Sequence, residues 1–115
     1  MVVENLSRTK NAGDLKMVYF YRLVKSSIDI AGDWQAFSLQ SYGIEIERQD
    51  ILGDKLINIC RDCIKTISPD RYKVHKLIKL LYDYNVSPIH LVDVIGDYVD
   101  KYILDFDKQI ETIVY

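Results

Sequence analysis

Between Lys16 and Ile67 the apolar side chains recur with the two-residue period of strands, and beyond Pro69 with the 3.6-residue period of helices. The first strand, Lys16 to Ser26, carries Met17, Val18, Tyr19, Phe20, Tyr21, Leu23 and Val24, which fit a pleated surface. Its two faces, Met17-Tyr19-Tyr21-Leu23 and Val18-Phe20-Arg22-Val24, are both largely apolar, so a central strand covered on both sides is expected. A Gly-Asp turn at Gly32-Asp33 leads to a second strand, Gln35 to Arg48, whose alternation changes phase: Phe37 and Leu39 lie on one face, Tyr42, Ile44 and Ile46 on the other. A period of two switches faces inside a sheet only through an extra residue, so a bulge is expected between Ser41 and Gly43, and Gly43 would permit it. Leu52-Gly53-Asp54-Lys55 is a hairpin turn into a third strand, Leu56 to Ile67, whose polar residues put one face or its end in water. Residues 5–15 are polar, with the turn cluster Asn11-Ala12-Gly13-Asp14, and are expected to be an exposed lead-in or a hairpin tip.

Ser68-Pro69 marks a helix start: the serine oxygen can accept the amide of Asp70 or Arg71, and proline has no amide to leave orphaned. The buried stripe of this helix, about 69–84, is Val74, Leu77, Ile78 and Leu81, widened by Leu80 and Tyr84. Asn85 suits a left-handed cap, with Val86 folding back on the last turn. Ser87-Pro88 repeats the start signal for a second helix, about 88–104, with Leu91, Val92, Ile95, Val99, Tyr102 and Ile103 as its stripe. Gly96 weakens that helix and suggests the close approach of another backbone. The tail can extend the helix, add a strand or cover a neighbouring subunit.

These elements define a single α+β domain over residues 1–115: an antiparallel sheet of three or four strands (16–67) covered on one face by two C-terminal helices (68–105), then a tail (106–115). At 115 residues there is material for one core, and 49% hydrophobic content excludes disorder. With 15 basic against 17 acidic residues the chain has no surplus to neutralise phosphates, which disfavours non-specific nucleic-acid binding. No apolar run reaches the roughly 20 residues of a membrane span, and no targeting segment precedes the fold, so a cytoplasmic protein away from membranes is expected. Cys60 and Cys63 are then two reduced thiols.

The pieces Tyr42-Gly43-Ile44-Glu45-Ile46, Ile67-Ser68-Pro69 and Asn85-Val86-Ser87-Pro88-Ile89-His90-Leu91-Val92-Asp93 resemble a small bacterial family of unknown function from spore-forming Gram-positive anaerobes. The likeness covers most of the chain and is weakest over the N-terminal lead-in. It implies a bacterial cytoplasmic protein with strands before helices, and it carries no catalytic residue across.

The motifs with chemical meaning are weak. Cys60 and Cys63 have the spacing of half a zinc site, but His75 and His90 are fifteen residues apart on different helices. On a strand the two thiols face opposite sides, which also removes thioredoxin-like chemistry and suggests one buried and one exposed thiol. Residues 80–94 can be laid on a helix-turn-helix, yet the positions that would read bases hold Pro88, Ile89, His90 and Asp93. No catalytic, metal-binding or cofactor-binding residue is assigned, and no cofactor is implied.

What remains is surface pattern. Arg71, Lys73, Lys76 and Lys79 make the first helix basic, whereas Asp93, Asp97 and Asp100 share the outer face of the second. Two solvated faces account for this more simply than the sharper reading, a polarised docking surface. Nine tyrosines exceed what a small core can hide. The expected function is a non-enzymatic interaction or regulatory module, homodimeric in one form, engaging itself or another protein through Tyr98, Tyr102, Lys73, Lys76, Asp93 and Asp97. The alternatives are a nucleic-acid-binding regulator using the basic first helix, and a small enzyme or ligand-binding protein with a pocket between sheet and helices.

Overall fold

A computed structural model describes residues 1–31 and 36–114. Four antiparallel strands, β1 (Val2–Ala12), β2 (Leu15–Ala31), β3 (Ala36–Leu52) and β4 (Lys55–Ser68), form one sheet in sequence order. Helix α1 (Arg71–Asp83) follows, then a 3-10 turn (Pro88–His90), α2 (Leu91–Tyr102) and, past a bend at Ile103, α3 (Leu104–Val114). The fold is thus mixed α+β and mostly strand, with the helices on one face of the sheet. The expected turn at Gly32-Asp33 lies outside the described residues.

The chain turns between β1 and β2, and between β3 and β4, through the same Gly-Asp pair. Gly13 and Gly53 have φ of 62° and 61°. Positive φ at the first of two loop residues is the geometry whose twist matches that of antiparallel strands, and glycine reaches it without steric cost. The N-terminal segment is therefore neither a lead-in nor only a hairpin tip: β1 is a full strand paired with β2 from Ala12↔Leu15 to Val2↔Val24. Its polar composition suits an edge strand, and its inward residues serve α1. Glu4 Oε1 lies 2.7 Å from Nδ1 of His75, and Arg8 donates to the Tyr82 carbonyl at 2.6 Å with its guanidinium over the Tyr82 ring.

Tyr19, Tyr21 and Leu23 of β2, Tyr42, Ile44 and Ile46 of β3, and Ile67 at the end of β4 line the covered face; Val74, Leu77, Ile78 and Leu81 of α1 and Leu91 and Ile95 of α2 close over it. Each fully buried aliphatic side chain of this kind contributes about 1.5–3 kcal/mol. Among the described residues no element covers the other face of β2, contrary to expectation. Val18, Phe20 and Arg22 are half-buried there by neighbouring side chains, because Arg22 and Arg61 both reach Glu47, Gln49 bonds it too, and the Arg22 guanidinium lies over Phe20.

The bulge falls where the phase change placed it, but the extra residues are on β4. Tyr42 pairs with Ser68 and Ile44 with Ile64, so β4 advances four residues while β3 advances two. A Cβ on Gly43 would collide with the carbonyl oxygens of Ile64 and Lys65.

Helix α1 begins later than Ser68 predicts. Ser68 Oγ does accept the Asp70 amide (3.0 Å), yet the N-cap is Asp70, whose carboxylate accepts the Tyr72 amide at 2.9 Å. At the other end Asn85 has φ 50°, and the amides of Asn85 and Val86 return to the carbonyls of Tyr82 and Leu81, a complete Schellman turn. Tyr84 is exposed and widens nothing. In α2, Leu91 and Ile95 are buried as expected, whereas Val92 and Ile103 are exposed, because the helix rests on the sheet along a narrower line than its apolar positions offer. Gly96 meets no other backbone. As far as Val114 the tail is helical, within α3 past the bend.

Tyr21 joins the layers. Fully buried, its hydroxyl donates to the Val86 carbonyl (2.9 Å) and lies 3.3 Å from Asn85 Oδ1, and burial pushes its pKa up so that it stays a donor. Tyr21→Phe should cost about 1–2 kcal/mol by leaving that carbonyl unpaired; an unchanged urea midpoint would contradict this role.

Candidate functional site

The outer surface of the helices gathers the residues singled out above, though not into one place. Lys73, near the start of α1, donates to Asp105 Oδ2 at 2.7 Å and lies 5.1 Å from the Tyr102 ring, whose neighbour Tyr98 has its ring centroid 6.1 Å away. Lys73, Tyr98 and Tyr102 therefore form one patch at the α1–α2 junction. Lys76 is elsewhere, stacked over Tyr72 at 4.6 Å, beside a groove of about 410 Å³ that also takes in His75, Asp83 and Tyr84. Asp93 and Asp97 lie on the outer side of α2; Asp93 is 3.8 Å from His90, and Asp97 makes no ion pair among the described residues.

Asp105 was invisible to sequence reasoning, since only the bend at Ile103 carries it back toward α1. Its carboxylate takes hydrogen bonds from both Lys73 and Ser68 (3.2 Å), tying the start of α3 to the start of α1. The Lys73 hydrogen bond, first among the causes, outweighs partial burial and holds Asp105 below its ordinary value of 3.8, while the same contact raises Lys73 above 10.5. Lys101 and Lys108 stand around this pair in a hollow of about 250 Å³.

Chemistry beyond binding has little to work with. His75 is engaged by Glu4 on the outer flank of α1, so neither it nor His90 enters a pocket between sheet and helices. Cys60 is half-buried and Cys63 exposed, both unpaired. Burial of the sulfur and then the carboxylates of Glu45 and Asp62 push the Cys63 thiol up, away from the thiolate a nucleophile needs. Among the described residues no three His, Cys, Asp or Glu side chains are grouped to hold a metal ion. No described helix is long and apolar enough to cross a membrane. The helix that would read DNA opens with a 3-10 turn and exposes Asp93, Asp97 and Asp100.

The molecule is thus a four-stranded antiparallel sheet with one helix and one bent helix on a single face. The profile of the family described as "Family of unknown function (DUF6514)" matches residues 1–101, lead-in included, and the chain belongs to that family. No curated protein and no solved structure matches the chain.

Two carboxylates make stability depend on acid. Burial alone would raise Glu47, but hydrogen bonds from Gln49, Arg61 and Arg22 outweigh it and lower its pKa below 4.5. Like Asp105, Glu47 binds its proton less readily folded than unfolded, so both contribute fully above their ordinary values and lose that contribution as the pH falls through the folded ones. Lys73 works in the opposite sense, contributing below 10.5 and losing it as the pH rises past its raised value. The urea midpoint should fall between about pH 5 and pH 2. Asp105→Asn should remove part of that fall, and a variant profile running parallel to the parent's would contradict the assignment.

Proposed function

We propose that this protein is a non-enzymatic interaction module that engages another macromolecule through its helical layer. The observation that carries the reading is the apolar surface left uncovered on the side of α2 away from α1: Ile89, Val92 and Ile103 are exposed at helical spacing along the segment 89–103. Isolated apolar residues are ordinary on any surface, but a contiguous group on one element marks a docking face. The bacterial, cytoplasmic setting implied by the resemblance is part of the same proposal, and the unpaired Cys60 and Cys63 fit a reducing compartment.

Two forms of this reading differ in the partner. In the homodimeric form, Lys73 and Lys76 of one copy meet Asp93 and Asp97 of the other, with Tyr98 and Tyr102 between them. Against it, Lys73 is already held by Asp105 and Lys79 by Asp83, which leaves little of the basic face for a second copy or for phosphates. The same pairing weighs against a nucleic-acid regulator acting through α1. The enzymatic alternative gains nothing from His75 and His90, both placed on the outer surface.

Light scattering over a wide concentration range separates the forms. A mass that stays near 13.4 kDa removes the second copy and leaves a different protein as the partner to be tested, and this is the expected result. A mass that doubles on concentration, reverts with Lys76→Glu and returns when Asp97→Lys is added would assign it to a second copy.

A further inference from the structure

Along α2 three residues of one row are followed by an aspartate: Val92-Asp93, Gly96-Asp97 and Val99-Asp100. Spacings of four and three place Val92, Gly96, Val99 and Ile103 in a line along the helix, with Ile89 just before it, and the three carboxylates in a second line alongside. The core is met mainly by another row, where Leu91 and Ile95 are buried and Tyr102 turns toward Lys73 of α1; of the first row only Val99, half-buried, touches it. Helix α2 lies across β4, the last strand of the sheet, so its side away from α1 has no further strand beneath or beyond it among the described residues. Apart from Val99 the apolar residues of the row are open: Ile89 is 69% exposed, Val92 56% and Ile103 39%.

Gly96 sits in the middle of it. A Cβ there would meet only Val92 Cγ1, at 4.0 Å, so nothing within the chain requires a residue that weakens a helix interior. The missing side chain leaves a notch in an exposed apolar row, the shape that lets a second helix settle close. The acidic line says which helix. Asp97 and Asp100 make no ion pair among the described residues, and Asp93 has only His90 near it. A second copy laid across the same row would bring aspartates against aspartates, and like charges held together at an interface oppose binding. An apolar row flanked by lysine or arginine satisfies both lines at once.

We infer that the outer side of α2 is the docking site for an amphipathic, basic helix of another protein. The inference rests on the interaction-module reading and supplies its partner chemistry. The test uses the full chain and a synthetic helical peptide with leucines on one face and lysines beside them, followed by NMR amide shifts and titration calorimetry. Saturable shifts should centre on residues 88–104. Affinity should fall by about tenfold or more when the peptide lysines become glutamates, with Asp93→Lys plus Asp97→Lys, and with Gly96→Leu. Because position 96 faces open space, Gly96→Leu should keep the helix signal and melting temperature, which separates lost docking from lost folding. Absence of binding, equal binding of the acidic peptide, or indifference to Gly96→Leu would overturn the inference. If the peptide fails while light scattering finds a dimer, the interaction reading survives with a second copy as partner; if both fail, both readings fall.

Discussion

The backbone of β4 occupies the space that any side chain at position 43 would fill, and the path of the chain from sheet to helices depends on that contact. Because Gly43 admits the carbonyls of Ile64 and Lys65, β4 can advance four residues against two of β3 and leave the sheet turned toward its covered face. That turn buries Ile67 and Ser68 completely. The Ser68 hydroxyl then accepts the Asp70 amide and donates to Asp105, so one side chain locates both the start of α1 and the bend after α2. Remove the room at Gly43 and these anchors lose their common origin.

Polar groups finish what the turn begins. Glu4 and Arg8 reach from the edge strand to α1, and Tyr21 reaches through the core to the loop after it. These contacts fix α1 mainly across β2 and β3, which leaves most of the cover over β4 to α2 and the 3-10 turn before it. A helix over an edge strand has one flank with no neighbour, and on this chain that flank carries apolar residues and carboxylates in parallel lines. The functional proposal follows from the placement of α2 rather than from any catalytic constellation.

Most of the architecture was legible because hydrophobic period is a direct record of burial: Val74, Leu77, Ile78 and Leu81 at helical spacing face the core as expected, whereas the pattern of β2 marks two apolar faces and only the one with Tyr19, Tyr21 and Leu23 is covered. The strand β1 was hidden because its inward residues include Glu4 and Arg8, whose partners lie some seventy positions later. The bulge was legible in its place but not in its strand, since a change of phase in β3 does not say which chain holds the extra residues. For α2 the pattern contained two apolar rows, and periodicity cannot say which one meets the sheet. Gly96 was read as a close approach to another backbone; the fold removes that contact from within the chain and leaves the question of what lies outside it. Asp105 escaped because its role depends on a bend that no local residue pattern announces.

The central claim, that the room at Gly43 steers the chain from sheet to helices, is tested by urea unfolding of Gly43→Ala followed by both near-ultraviolet circular dichroism of the buried tyrosines and far-ultraviolet circular dichroism. A single methyl group should cost about 1–3 kcal/mol, because the atoms it meets are backbone and cannot rotate away. The helical signal should weaken along with the midpoint, since the anchors of α1 and of the bend shift together. A variant with an unchanged midpoint and full helical signal would contradict the account.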